Sequence, residues 1–143
     1  MKLAIIGGSL LKDIHFISDL TTEQVSTPFG LPSDQFSIGT INGIQLVYLN
    51  RHGSAHHIAP HQINYKANMF ALKLLGVTDI LAVAAVGGIT EKMSPMKWVI
   101  ADQIIDYTHD RLQTYSDGND KAVNHIDFSY PFDEVLSNRP RRA

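Results

Sequence analysis

Phe36-Ser37-Ile38-Gly39-Thr40-Ile41, then Asn42-Gly43, then Ile44-Gln45-Leu46-Val47-Tyr48-Leu49 is the stretch on which the fold turns. Asn-Gly between two runs rich in β-branched and aromatic residues predicts a two-residue hairpin, because both central positions of a type I′ turn need positive φ. The second strand of that hairpin delivers Arg51 at its end. Downstream, Ala67, Phe70, Ala71, Leu74 and Leu75 recur at helical spacing within residues 64–75, and Gly76 stands where such a helix would stop. Upstream, Leu3-Ala4-Ile5-Ile6 is a continuous apolar run halted by Gly7-Gly8, the pattern of a short strand covered on both faces. Ile80-Leu81-Ala82-Val83-Ala84-Ala85-Val86 repeats that pattern before Gly87-Gly88, and Trp98-Val99-Ile100-Ala101 and Ile104-Ile105-Asp106 read as further covered strands. A helix between a hairpin and a buried strand predicts an α/β fold, with a mixed central sheet flanked by helices. Thr27-Pro28-Phe29-Gly30 and Leu31-Pro32-Ser33 predict a surface loop, since two prolines and a glycine forbid a regular ladder.

The chain has 143 residues, 44% of them apolar, which suits one globular core. A net charge of −2 without a basic stripe argues against nucleic acid and for a small-molecule partner. With no cysteine there is neither a disulfide framework nor a thiolate metal site. The N-terminal apolar run is too short for a signal-peptide core, and no stretch approaches the ~20 apolar residues that cross a bilayer. A cytoplasmic protein with no membrane partner is therefore expected. Residues 137–143 form a basic, proline-interrupted tail that is expected to be disordered, and Asp117-Gly118-Asn119-Asp120 reads as a turn.

Chemistry concentrates in Arg51-His52-Gly53-Ser54-Ala55-His56-His57-Ile58-Ala59-Pro60-His61-Gln62-Ile63-Asn64-Tyr65-Lys66-Ala67-Asn68. Arg51 has a permanent charge in a forked geometry that suits phosphate, and Gly53 lets backbone come close to a ligand. Residue types alone also allow a solvated surface loop. Four histidines, His52, His56, His57 and His61, raise a metal site as well, but Gly53 and Pro60 interrupt the alignment of ligands and no acidic residue lies in the run. No metal is expected. Gly7-Gly8-Ser9 offers successive N–H groups and a hydroxyl, the ingredients of a backbone nest for an anion.

The same residues resemble the trimeric purine nucleoside phosphorylase family, above all its methylthioadenosine and methylthioinosine phosphorylase branch. Arg51, His52, Gly53, His56, Pro60, Asn64, Tyr65, Ala67 and Asn68 match that family's phosphate and ribose loop, and His125-Ile126-Asp127-Phe128 matches the methylthioinosine branch. The resemblance implies a purine nucleoside phosphorylase-like sheet. It also implies phosphorolysis of a purine nucleoside such as 5′-methylthioinosine, giving hypoxanthine and 5-methylthioribose 1-phosphate. Inorganic phosphate is then the co-substrate, no other cofactor is needed, and a homotrimer is implied. Ser9, Arg51, His52 and Ala85 would bind phosphate. Gly87 would bind the nucleoside, and His125 would lie near the 5′-methylthio group of a substrate held by a neighbouring subunit.

Family members are about twice this length, so residues 1–136 are expected to be the N-terminal half of a truncated phosphorylase domain. No residue here matches the family's base-protonating Asp or Asn. Leu10 replaces a glycine, Ala84 replaces a hydroxyl or amide residue that bonds phosphate, and Met96 stands in a turn that usually has glycine. An inactive remnant that at most binds phosphate or nucleoside is the alternative. A nucleoside hydrolase is a third reading, against which Arg51 argues because a water nucleophile needs no guanidinium clamp.

Overall fold

The computed structural model describes residues 1–8, 17–116, 118 and 125–138. They divide into two units, Met1–Ala85 with Asp110–Tyr115, and Val86–His109 with the residues from Ser116 onward. The first unit is a mixed five-stranded sheet with strands β1 (Lys2–Gly7), β2 (Ser18–Glu23), β3 (Phe36–Ile41), β4 (Ile44–Asn50) and β5 (Asp79–Ala82), in the order β2-β3-β4-β1-β5. β1 runs parallel to both β4 and β5, while β3 is antiparallel to β2 and β4.

The predicted hairpin is β3–β4, with Asn42 at φ 49° and Gly43 at φ 77°. Ile41 faces Ile44 across the turn. A Cβ on Gly43 would meet nothing within 4 Å, so its positive φ, not crowding, is what favours glycine there. β4 lies between β1 and β3, and Leu46, Val47, Tyr48 and Leu49 are all buried. Unbroken apolar character is what a strand covered on both faces requires.

Helix α1 (Tyr65–Leu74) matches the predicted span closely. Asn64 caps it, its side chain accepting from Ala67 N at 3.1 Å. At the other end Gly76, at φ 72°, donates to Lys73 O and Val77 donates to Leu72 O. That paired closure is a Schellman motif, and it explains why the helix stops where Gly76 predicts. Ala71 and Leu72 pack with Ala4, Phe36, Val47 and Leu49 in the core.

Three expectations change. The strand expected over residues 80–86 ends at Ala82, although Val83 N still donates to Ile6 O at 2.9 Å. Residues 98–101 and 104–106 lie in the second unit and form no strand, with Trp98 81% and Ile105 76% exposed. An apolar run becomes a strand only where a neighbour pairs its backbone groups, and β-propensity alone supplies none. The loop over residues 27–33 is not wholly at the surface: Pro32 and Ser33 are buried. β2 went unread because its SDLTTE sequence has no apolar face; it is exposed along its length and pairs only with β3. The second unit contains a short helix, α2 (Glu134–Ser137), capped by the Asp133 carboxylate. Most of the 137–143 tail and of the turn around Gly118 lies outside the described residues.

The buried loop is tied down by α1. Asn68 is 3% exposed, its Oδ1 accepts from Ser33 N at 2.8 Å and its Nδ2 donates to Ser33 Oγ at 2.9 Å. Asn68→Ala strands both Ser33 groups out of reach of water, and a loss of about 2–3 kcal/mol is expected in urea unfolding. A change below about 0.5 kcal/mol would show that the pair contributes nothing net.

Candidate phosphate site

Register brings the site together. Gly7 pairs with Asn50, and Ile6 with both Leu49 and Ala82, so β1, β4 and β5 end side by side at their C-terminal edge. The next residues on the three strands are Gly8, Arg51 and Val83. Open α/β sheets bind ligands at such an edge.

Arg51 is held from several directions. Its N–H donates to Gly7 O at 3.0 Å, its Nη1 to Val83 O at 2.8 Å and its Nε to His52 Nε2 at 3.2 Å. His52 Nδ1 lies 2.9 Å from Ile58 O. A carbonyl only accepts, so Nδ1 must carry the proton and Nε2 must offer its lone pair to Arg51. Both ring nitrogens of His52 are thus engaged. Its imidazole is placed to orient Arg51, a role that residue type alone did not reveal. Arg51 Nη2 has no partner among the described residues.

The loop around this guanidinium is a compact turn. Gly53 N donates to Asn50 O, His56 N to Gly53 O, and Ile58 N to His52 O, at 2.9–3.0 Å. Gly7, Gly8, Asn50, His52, Gly53, Ser54 and His56 line a small cleft there. The His52 and His56 rings approach to 4.9 Å between centroids. No group of three or more His, Cys, Asp or Glu side chains is placed to hold a metal ion among the described residues. Beside the cleft, burial pushes the Tyr48 hydroxyl above its ordinary pKa; Arg51 pulls it down and Asp34 pushes it up.

Of the residues expected to bind, Arg51 and His52 come together beside Gly7-Gly8. Ala85 lies two residues beyond the Arg51 anchor at Val83 and is exposed. Ser9 and Leu10 fall outside the described residues. Gly87 and His125 belong to the second unit, where both are exposed. Near His125, hydrogen bonds from the Ser129 side chain and backbone hold the Asp127 carboxyl below its usual pKa. The Val83 carbonyl, Ile58 carbonyl and Asn50 were missed. Two are main-chain acceptors whose side chains carry no signal, and Asn50 is noticeable only as the polar end of an apolar strand.

The phosphorylase superfamily matches residues 2–143, and the chain belongs to that family. It is 36% identical over 139 residues to a probable S-methyl-5′-thioinosine phosphorylase of Xanthomonas campestris, covering 97% of this chain and 56% of the relative. It is 43% identical over 140 residues to the S-methyl-5′-thioadenosine phosphorylase of Ciona intestinalis, covering 96% and 50%. Among solved structures, methylthioadenosine phosphorylase from Schistosoma mansoni in complex with adenine superposes with a TM-score of 0.85 at 39% identity, over 92% of this chain and 49% of that one. The sheet is therefore purine nucleoside phosphorylase-like, and the chain spans about half the length of the curated relatives it matches.

A Cβ at Gly8 would sit 2.9 Å from Arg51 Nη2. Gly8→Ala should displace the guanidinium and weaken inorganic phosphate binding at least about tenfold, about 1.4 kcal/mol. Calorimetric titration checks this, with thermal unfolding as the control; unchanged affinity would mean that Arg51 does not need its position.

Proposed function

We propose that this chain holds inorganic phosphate for phosphorolysis of a purine nucleoside, with 5′-methylthioinosine the favoured substrate. The observation that carries the reading is the fixed Arg51 guanidinium, whose Nη2 has no partner among the described residues and lies beside Gly8 at the C-terminal edge of three parallel strands. Phosphate bound there forms a bond to the anomeric carbon as the bond to the purine nitrogen breaks. The purine takes the bonding electrons and a proton, leaving hypoxanthine and 5-methylthioribose 1-phosphate. Arg51 desolvates and aims the anion, and the bound anion in turn stabilises positive charge developing on the sugar.

Ser9 and the backbone at Ala85 would add donors to phosphate, and Gly87 and His125 would meet the nucleoside, His125 across a trimer interface. No residue of this chain is assigned to protonate the departing base. No metal or organic cofactor enters the scheme. No helix among the described residues is long and apolar enough to cross a membrane, and a cytoplasmic setting fits small-molecule substrates of this kind.

A second reading, binding without turnover, is favoured by Ala84, which supplies no side-chain donor on the same edge. Release of hypoxanthine from 5′-methylthioinosine, followed with and without phosphate, separates the readings. Phosphate-dependent release is expected, with kcat/KM for phosphate falling about 100-fold or more in Arg51→Ala. Equal release without phosphate would mean hydrolysis, and saturable phosphate binding with no release would leave only the binding reading.

A further inference from the structure

Asp34 lies outside the cleft, yet it is joined to it by a short polar chain. Its Oδ1 accepts from Gln35 N at 2.9 Å and its Oδ2 accepts from Asn50 Nδ2 at 3.4 Å. A carboxylate accepts but cannot donate, so it fixes the orientation of the Asn50 amide. Asn50 Oδ1 must then face the Tyr48 hydroxyl, which donates to it at 3.0 Å. Tyr48 is 3% exposed, and its ring lies against the end of β1: a Cβ at Gly7 would meet the hydroxyl at 2.6 Å. Gly7 in turn accepts from Arg51 N, and Asn50 itself lines the cleft.

The geometry points to Asp34 as a positioning residue for the anion cleft: bonded to Asn50, it holds Tyr48 against Gly7 and so sets how Gly7-Gly8 faces Arg51. The carboxylate touches no reacting group, and its effect passes through Asn50 and Tyr48. Its loop is anchored separately, by Ser33 on Asn68. Holding the loop and positioning the cleft are therefore separable.

The inference deepens the phosphate reading, and its affinity arm rests on that reading. The amide resonances of Gly7 and Gly8 test it directly, without any ligand. Asp34→Ala should shift both resonances and weaken inorganic phosphate binding about tenfold, whereas Asp34→Asn, which keeps an acceptor for Asn50, should stay within about threefold of the parent protein. Ser33→Ala should lower thermal stability and leave both readouts in place. Unmoved resonances in Asp34→Ala, no recovery in Asp34→Asn, or an equal disturbance from Ser33→Ala would each overturn the assignment. If the parent protein binds no phosphate, the function reading fails, and the Gly7 and Gly8 resonances alone decide the positioning role.

Discussion

The site depends on one constraint: three parallel strands ending at one level. Because β1 pairs with β4 on one side and β5 on the other, in registers that align Gly7 with Asn50 and Ile6 with Ala82, their next residues meet at one edge. A slip of one residue would turn every side chain of a strand to the other face and carry Arg51 away from Gly7 O. Arg51 then reaches Val83 across the end of β1, a contact that joins the two outer strands of the trio. Packing in the core and geometry at the cleft thus rest on the same register.

Charge alone does not describe what Arg51 does there. A guanidinium has several N–H donors in a rigid plane, and the structure divides them: Nη1 to a carbonyl, Nε to the His52 imidazole, and Nη2 toward the glycine turn. Anchoring two corners before a ligand arrives removes freedom that would otherwise be lost on binding. His52 contributes by accepting a bond, and Ile58 O fixes the tautomer that allows it. The second unit differs in character. Val86, Ile89, Met96, Trp98 and Tyr107 are each at least 80% exposed.

Sequence carried much of the fold because its strongest signals are local. Asn42-Gly43 requires positive φ, Asn64 and Gly76 bracket α1, and the apolar run of β4 requires two covered faces. The misread segments, residues 84–86, 98–101 and 104–106, share those apolar runs but have no strand partner among the described residues, and pairing is a property of tertiary structure. For the site, Arg51, His52 and the strand-ending glycines were legible from residue type and order. Main-chain acceptors at Val83 and Ile58, and the Asp34–Asn50–Tyr48 chain, depend on residues brought together from distant positions. His52 shows the limit most clearly, since its type does not reveal that its hydrogen bonds also brace Arg51.

If phosphate is held by an oriented fork and not by positive charge alone, keeping the charge while removing the fork must cost affinity. Calorimetric titration of the protein with inorganic phosphate, beside Arg51→Lys, tests it most directly. A lysine keeps the charge, but its single ammonium cannot span Val83 O, His52 Nε2 and an anion together. Saturable binding in the parent protein that falls at least about tenfold in Arg51→Lys is the predicted result, a difference of about 1.4 kcal/mol. Equal affinity in the two proteins would contradict it.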